Sequence, residues 1–302
     1  MNVMKPSKLK NAAWFDASEY PWESKYLEIG AHQMHYVDEG SGPTILFVHG
    51  TPTWSFLYRK QIQALSKHFR CVAMDHIGFG LSDKPEEADY SPEWHSQNLE
   101  KLVEALQLKE ITLVVHDFGG PIGLSFAIRR PERILKVVLL NTFLWETASN
   151  PAARKVDKIV RSALGRFLYL RMNASPKLLL RSAFTDKRKL TKAIHRHYTD
   201  VFPNKSSRFG LLKMAENLVG SSDWYDRQWQ QLDRIASKPF LIAWGMKDSF
   251  IGPDYLKIWE DKLSNVKDVI RLPEAGHFVQ EEAAGELTHA VEQFCFGDTQ
   301  PH

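Results

Sequence analysis

The chain has 302 residues, of which 43% are hydrophobic and 25% charged, and its formal net charge at pH 7 is +3. These values are typical of a globular protein, and a single α/β domain can reach this length. The charge is too small to indicate a nucleic-acid partner, and no apolar run is long enough to span a membrane.

The cysteines and the N-terminal segment indicate the compartment. Cys71 and Cys295 are too few for a disulfide framework, and neither has a second cysteine at the spacing of metal ligands. The segment Met1–Tyr20 is polar and has no apolar core of signal-peptide length. We therefore expect a cytoplasmic protein; its oligomeric state is left open.

The first half of the chain predicts alternating strands and helices. Such alternation implies βαβ units with right-handed crossovers and a mostly parallel sheet flanked by helices. In chain order we predict a hairpin of Tyr26–Ile29 and Met34–Val37, a strand at Thr44–Val48, a helix at Ser55–Ser66, a strand at Cys71–Met74, a helix at Pro92–Leu106, a strand at Ile111–Val115, a helix at Gly120–Arg129 and a strand at Lys136–Leu140.

The strand pattern then stops for about ninety residues. Only helical periodicity is found there, as in Lys155–Leu170 and Pro176–Phe184. We predict an α/β core domain of residues 1–141 and 237–302, interrupted by a helical cap, or lid, of residues 142–236. The elements predicted after the cap are strands at Pro239–Trp244 and Val269–Leu272 and a helix at Glu281–Phe296.

The predicted cap is basic. Residues 151–200 contain 13 Lys or Arg and only three acids, Asp157, Asp186 and Asp200. A solvated helical face would explain this composition. Attraction of an anionic substrate, partner or membrane surface is the alternative that stays open.

The stretch Val114–Gly120 predicts a strand, a sharp turn and a helix. This is the setting of a nucleophile elbow, in which the middle residue stands at the tip of the sheet. That residue is commonly Ser; here it is Asp117. An Asp before a helix can also be an N-cap, but the partners of a nucleophile follow in the sequence.

Those partners are expected in the order nucleophile, acid, histidine. Asp248 follows a predicted buried strand, and His277 lies in a turn after the next strand. An oxyanion hole in this architecture combines the N–H after the nucleophile with one from an earlier loop, which makes the amides of Phe118 and Thr51 the candidates.

Five motifs resemble the haloalkane dehalogenases, which have the α/β-hydrolase fold. They are His49–Ser55, Asp75–Pro85, Val115–Gly120, Gly245–Asp248 and Ala275–Glu281. The resemblance covers most of the core and is weak across the cap. It implies an α/β-hydrolase fold with an inserted helical cap, and cleavage of a carbon–halogen bond in a small apolar substrate.

A carboxylate nucleophile has its own chemistry. It is ionised at neutral pH and needs no base to activate it. Attack of Asp117 on a carbon bearing a leaving group gives an alkyl ester, which water activated by His277, oriented by Asp248, can hydrolyse. Since nucleophile and base are both side chains, no metal or organic cofactor is expected.

The sequence departs from the family where the halide would bind. Haloalkane dehalogenases usually place a Trp indole N–H beside the nucleophile, and here that residue is Phe118. A second donor is often Asn at the position of Thr51, or a Trp from the cap. The hydroxyl of Thr51 is one candidate replacement, and the other candidate contacts are Trp145, Trp224 and Trp229.

Other functions remain open. An epoxide hydrolase would use the same core with cap tyrosines as acids, for which Tyr169 and Tyr198 are available. β-Lactone decarboxylases of long-chain olefin synthesis share motifs of this kind. A catalytically silent binding module is a third alternative, against which the complete set of nucleophile, acid and histidine argues. Asn141 stands where some family members carry the acid, but an amide cannot fill that role.

Overall fold

The structure is a computed structural model that describes residues 12–297. Residues 1–11 and 298–302, assigned above to the ends of the predicted core domain, lie outside the described residues. So does most of the N-terminal segment in which no signal peptide was expected. None of the helices within residues 12–297 is long and apolar enough to cross a membrane.

Eight strands form one sheet in the order β1-β2-β4-β3-β5-β6-β7-β8. They are β1 Lys25–Ile29, β2 His32–Glu39, β3 Thr44–Val48, β4 Arg70–Met74, β5 Ile111–Asp117, β6 Ile134–Thr142, β7 Phe240–Gly245 and β8 Val266–Leu272. β2 pairs antiparallel with β1 and β4, and the other pairs are parallel. Every residue of β3, β5 and β7 is buried, as expected of strands covered on both faces by helices. The predicted mostly parallel sheet is confirmed.

Twelve α-helices accompany this sheet within the described residues. They are α1 Arg59–Leu65, α2 Pro92–Ala105, α3 Gly119–Arg129, α4 Pro151–Arg161, α5 Ala163–Leu170, α6 Leu180–Ser182, α7 Lys192–Thr199, α8 Phe209–Gly220, α9 Ser222–Trp229, α10 Pro253–Lys262, α11 Val279–Glu282 and α12 Ala284–Phe296. Helices α4 to α9 all lie between β6 and β7, and residues 143–239, which are all described, contain no strand.

Some predicted helices are divided. The helix predicted over Lys155–Leu170 breaks at Ser162, which is extended (φ −68°, ψ 158°). The Ser162 hydroxyl accepts the N–H of Gly165 at 3.0 Å and caps α5. The helix predicted over Ser55–Ser66 begins as a 3₁₀ turn, Ser55–Tyr58, before α1. Local capping and backbone geometry therefore interrupt an apolar periodicity that is continuous in the sequence.

Two further helices also differ from the prediction. The segment predicted over Pro176–Phe184 is a π-helical turn, Ser175–Leu179, that runs into α6. The helix predicted over Glu281–Phe296 starts earlier and is split into α11 and α12 at Ala283, whose φ and ψ are −131° and 40°.

The parallel strands place the functional residues at one edge of the sheet. The carboxyl ends of β3, β5, β6, β7 and β8 meet there, as in other open α/β sheets that bind ligands. β5 and β6 extend beyond their predicted ends, because pairing continues through His116 with Leu140 and Asp117 with Thr142.

Candidate active site

Asp117 is the last residue of β5 and has a left-handed backbone, with φ of 52°. The chain turns sharply there because the next residues fit against neighbouring strands. A Cβ on Gly119 would meet the carbonyl oxygen of Val48, and one on Gly120 would meet the Thr142 hydroxyl. That hydroxyl donates to the Asp117 carbonyl oxygen at 2.6 Å. The predicted elbow is thus a strand, a strained residue and the start of α3.

The two oxygens of the Asp117 carboxylate have different surroundings. Oδ1 accepts the backbone N–H of Thr51 at 2.7 Å. Oδ2 lies 3.6 Å from Nε2 of His277. Gly50 allows this approach, since a Cβ at that position would meet Asp117 Oδ1. Phe118, whose amide is the second predicted oxyanion donor, follows Asp117 directly and begins the turn into α3.

Asp248 accepts hydrogen bonds on both oxygens. Nδ1 of His277 lies 2.7 Å from Oδ2, and the Asn141 amide donates to the same oxygen at 2.9 Å. The N–H groups of Phe250 and Ile251 donate to Oδ1 at 2.8 and 3.1 Å. Burial raises the pKa of Asp248, but the charge of His277 and these hydrogen bonds outweigh it and lower the pKa to about 2. Asp248 is therefore ionised at neutral pH.

His277 lies between the two carboxylates. Burial lowers its pKa, whereas the charge of Asp248 and its interactions with Asp117 and Asp248 raise it, and the net effect is a pKa raised to about 10. The imidazole is then protonated while Asp117 carries its charge. Loss of the Asp117 charge would lower the pKa of His277, because interactions with Asp117 help to raise it.

Two neighbours that sequence reasoning did not assign fix the position of these residues. His116 donates from Nε2 to the His277 carbonyl oxygen at 2.9 Å, and the two ring centroids are 4.6 Å apart. Asn141 occupies the position of an alternative acid and instead binds Asp248 and the backbone of Gly245. The sequence could have pointed to Asn141, because a polar residue near the end of a buried apolar strand requires hydrogen-bond partners.

The Thr51 hydroxyl is buried and has no hydrogen-bond partner among the described residues. Phe118 is 5% exposed and packs edge-on against Phe143, with ring centroids 5.5 Å apart. Phe143 in turn contacts Tyr225 of α9. The residues that follow Asp117 on this side are thus packed among aromatic rings.

The three candidate Trp contacts fall into two groups. The ring centroid of Trp145 is 5.2 Å from that of Trp229 and 5.4 Å from that of Trp259. Trp224 is buried and packs against Tyr225 at 5.6 Å. Trp145 and Trp229 thus pack against each other and against aromatic residues of α10. Contact of any of the three tryptophans with a substrate stays a prediction.

The two tyrosines available to an epoxide hydrolase are both buried. The Tyr198 hydroxyl donates to Glu281 Oε1 at 2.7 Å, and Arg59 binds the same carboxylate. Burial raises the pKa of Tyr169 to about 12. No group of three or more His, Cys, Asp or Glu within residues 12–297 is arranged to hold a metal ion.

Known proteins match this chain over nearly its whole length. A family model for the alpha/beta hydrolase fold matches residues 43–284. Haloalkane dehalogenase 2 of Mycobacterium tuberculosis is 35% identical over 277 residues, which cover 91% of this chain and 96% of the relative. A cis-3-alkyl-4-alkyloxetan-2-one decarboxylase of Shewanella oneidensis is 33% identical over 288 residues, covering 91% and 88% of the two chains.

Solved structures agree with these matches. The haloalkane dehalogenase DpaA from Paraglaciecola agarilytica superposes with a TM-score of 0.80 and 28% identity, covering 94% of this chain and 95% of that one. The predicted fold and family resemblance are both confirmed. The chain therefore belongs to the α/β-hydrolase fold family and, within it, to the haloalkane dehalogenase family.

Proposed function

We propose that this protein hydrolyses the carbon–halogen bond of small apolar haloalkanes, with Asp117 as nucleophile, Asp248 as the orienting acid and His277 as base. One observation carries the proposal: the Asp117 carboxylate has one oxygen bound to the Thr51 N–H and the other facing His277. Serine at this position would form an ether, which the enzyme could not hydrolyse. The dehalogenase relatives support the choice of substrate class.

In the first step, Asp117 Oδ2 attacks the carbon that bears the halogen. A carbon–oxygen bond forms, the halide leaves with the electron pair of the carbon–halogen bond, and Asp117 becomes a neutral alkyl ester. Loss of that charge lowers the pKa of His277, because interactions with Asp117 help to raise it. The imidazole can then release its proton and act as a base.

In the second step, water gives a proton to His277 and attacks the carboxyl carbon of Asp117. The negative charge develops on Oδ1, which already accepts the Thr51 N–H at 2.7 Å. Collapse of this intermediate expels the alkoxide, which takes the proton from His277. The alcohol carries the original Oδ2, and the oxygen of the water stays in the carboxylate.

The departing halide needs hydrogen-bond donors. The indole N–H usual in the family is missing at Phe118, and the Thr51 hydroxyl is a buried donor without a partner among the described residues. We assign this hydroxyl to the leaving group. Of the cap tryptophans, Trp224 is the one beside Tyr225, which links through Phe143 to Phe118.

The same proposal covers the organisation of the chain. Residues 142–236 would act as a cap over the core, supported by the hydrogen bond from the His277 N–H to the carbonyl of Ala183 at 3.1 Å.

A cytoplasmic location is supported by Cys71 and Cys295, which are both free thiols.

A second candidate is opening and decarboxylation of a β-lactone. The decarboxylase relative favours it, as does the absence of an indole donor at Phe118. Attack of Asp117 on the ring carbon would break the carbon–oxygen bond of the lactone and give a carboxylate. Loss of CO₂ would then form the alkene and release Asp117, without hydrolytic water.

Trapping the covalent intermediate tests both candidates. The variant His277→Phe is mixed with haloalkane, epoxide and β-lactone panels, and the Asp117 peptide is examined by mass spectrometry. Under the proposal an alkyl adduct accumulates with haloalkanes, because the ester forms but water is not activated. The double variant Asp117→Asn/His277→Phe is the matched control and should carry none.

The outcomes separate the candidates. Adducts with epoxides but not with haloalkanes would remove the dehalogenase assignment. Alkene and CO₂ released from lactones, without haloalkane adducts, would favour the decarboxylase candidate, because that breakdown needs no hydrolytic water. A folded His277→Phe protein that gives neither an adduct nor an alkene would remove the covalent mechanism. In single turnover of the unsubstituted enzyme in ¹⁸O-water, the label should enter Asp117 and not the alcohol.

A further inference from the structure

The outer surface of residues 151–182 exposes an unusual set of apolar side chains. Leu164 is 66% exposed and Phe167 52%. Of the ten large exposed hydrophobic residues in the described part of the chain, seven lie in this one segment: Val156, Ile159, Leu164, Phe167, Met172, Leu178 and Leu179. Single exposed apolar residues are ordinary, but a concentration of this kind marks an interaction site.

The apolar residues are ordered by the helices that carry them. Leu164 and Phe167 of α5 and Arg171, the residue that follows this helix, are three and four residues apart and therefore share one face, while Tyr169 is buried. On α4, Val156 and Ile159 form an exposed flank. A Cβ on Gly165 would meet the Ile159 carbonyl, so α5 packs closely on the end of α4. We call residues 151–182 with these exposed side chains the cap patch.

The cap patch is also strongly positive. It contains eight Lys or Arg and one acid, Asp157, while the whole chain has a formal net charge of only +3. Arg161 pairs with Asp157 and Arg166 with Glu216. The other six form no ion pair with any described residue: Arg154, Lys155, Lys158, Arg171, Lys177 and Arg181. Unpaired cations therefore surround exposed aliphatic and aromatic side chains.

We propose that the cap patch binds the surface of an anionic lipid bilayer. Helices with apolar residues on one side and Lys or Arg on another lie in the membrane interface, where acyl chains cover the former and headgroups neutralise the latter. A second copy of this chain would bring like charges together. A nucleic acid would neutralise the charges but leave Leu164 and Ile159 in water.

The position of the cap patch gives the interaction a consequence. The segment leads directly into Ala183, whose carbonyl oxygen accepts the N–H of His277. Apolar molecules concentrate in a lipid bilayer. A bilayer bound to the cap patch would therefore bring them close to the segment that contacts His277. The proposal itself does not depend on the reaction at Asp117.

Flotation with lipid vesicles tests the proposal without any substrate. The full chain is mixed with vesicles of phosphatidylcholine alone or of phosphatidylcholine with phosphatidylglycerol. Binding to the anionic vesicles should be stronger and should fall as salt is added. Leu164→Ser/Phe167→Ser should weaken partitioning about tenfold or more, through the loss of buried apolar area. Lys155→Gln/Lys158→Gln should weaken it about fivefold per charge removed.

Matched substitutions elsewhere on the surface provide the controls. Ile258 is an exposed apolar residue of α10 and Lys267 an exposed cation of β8. Ile258→Ser and Lys267→Gln should leave vesicle binding unchanged, with thermal unfolding verifying that every variant is folded. The proposal would be overturned if these controls lost as much vesicle binding as the cap-patch variants. It would also be overturned if the unsubstituted protein did not bind anionic vesicles. A change in oligomer mass on Leu164→Ser/Phe167→Ser without vesicles would overturn it as well, because it would make the patch an interface between copies.

Discussion

At the scale of single residues, the charge state of His277 depends on whether Asp117 is ionised. The pKa of His277, raised to about 10, is above the value of 6.5 that is usual for histidine. Because the pKa is raised on folding, the imidazolium stabilises the folded state below about pH 6.5, and this contribution is lost as the pH rises through about 10. The ion cluster of Asp117, His277 and Asp248 is thus more stabilising while Asp117 is ionised than when its charge is removed.

Asp117→Asn mimics that neutralised state. We expect the variant to lower the pKa of His277, since one of the two neighbouring negative charges is gone while Asp248 remains. Titration of the imidazole followed by nitrogen NMR measures the change. Glu274→Gln, which removes an exposed carboxylate, serves as control and should not change the pKa of His277. An unchanged His277 pKa in Asp117→Asn would show that the base is not coupled to the nucleophile.

Phe118 is the residue at which halide stabilisation can be restored. Phe118→Trp introduces an indole N–H beside Asp117, and a hydrogen bond to a charged partner contributes about 1.5–3 kcal/mol. We expect kcat/KM for haloalkanes to rise about tenfold or more. Phe118→Met changes the packing against Phe143 without adding a donor and should give no increase. If both variants behave alike in steady-state assays, the N–H is not what limits turnover.

At the scale of elements, the position of Asp117 depends on the close contact between the start of α3 and the end of β6. Gly120→Ala should destabilise the protein by about 1–3 kcal/mol, because the added methyl would meet the Thr142 hydroxyl. Urea unfolding measures the loss. Gly285 lies in α12, where a Cβ would come within 4 Å of no neighbouring element, so Gly285→Ala should be neutral or stabilising. Equal effects at the two positions would contradict this account of the turn.

The sequence predicted where the strands lie better than where they end. An apolar run stops at Val115, but β5 continues through His116 and Asp117 because β6 supplies hydrogen-bond partners. Helix breaks at Ser162 and Ala283 depend on a cap and on local backbone angles that apolar periodicity does not encode. The order of the strands, by contrast, follows from strand–helix alternation and was predicted correctly, whereas α10 between β7 and β8 was not predicted.

The residues of the candidate site that lie in recognisable sequence motifs could be predicted. Asp117, Asp248 and His277 each follow a predicted strand, so the edge at which they meet was implied by the parallel sheet. The amide of Asn141 on Asp248 and the ring of His116 on the His277 carbonyl depend on side-chain directions that arise only in the folded state. For the same reason, the sequence indicated three tryptophans as candidate substrate contacts but not which of them makes the contact.

At the scale of the whole molecule, a buried ion cluster joins the N-terminal segment, the predicted core and the predicted cap. Arg59 of α1 binds Glu281 of α11 with contacts of 2.5 and 3.0 Å, and both side chains are almost fully buried. Glu19 binds the same guanidinium, and Tyr198 of α7 donates to Glu281. The charge of Arg59 opposes the effect of burial and lowers the pKa of Glu281.

Glu281→Gln should therefore cost about 3 kcal/mol of unfolding free energy, because the buried Arg59 would lose its buried counter-charge and keep only the partly exposed Glu19. The pKa of Glu281 is lowered on folding, so its contribution is present above the unfolded pKa and is lost as the pH falls through the folded one. Denaturant unfolding near neutral pH measures the loss. Glu274→Gln removes the exposed pair with Lys247 and should change stability by less than about 1 kcal/mol. Similar losses in both variants would argue against the buried cluster.

The pairing of Arg59 with Glu281 also has a consequence for biosynthesis. The two residues are 222 positions apart, and His277 lies only four residues before Glu281. During translation, the elbow that carries Asp117 emerges long before the histidine and the partner of Arg59 are available. The nascent chain thus cannot pair Arg59 with Glu281, or bring His277 beside Asp117, until the segment that follows β8 has been made, and both contacts become possible together.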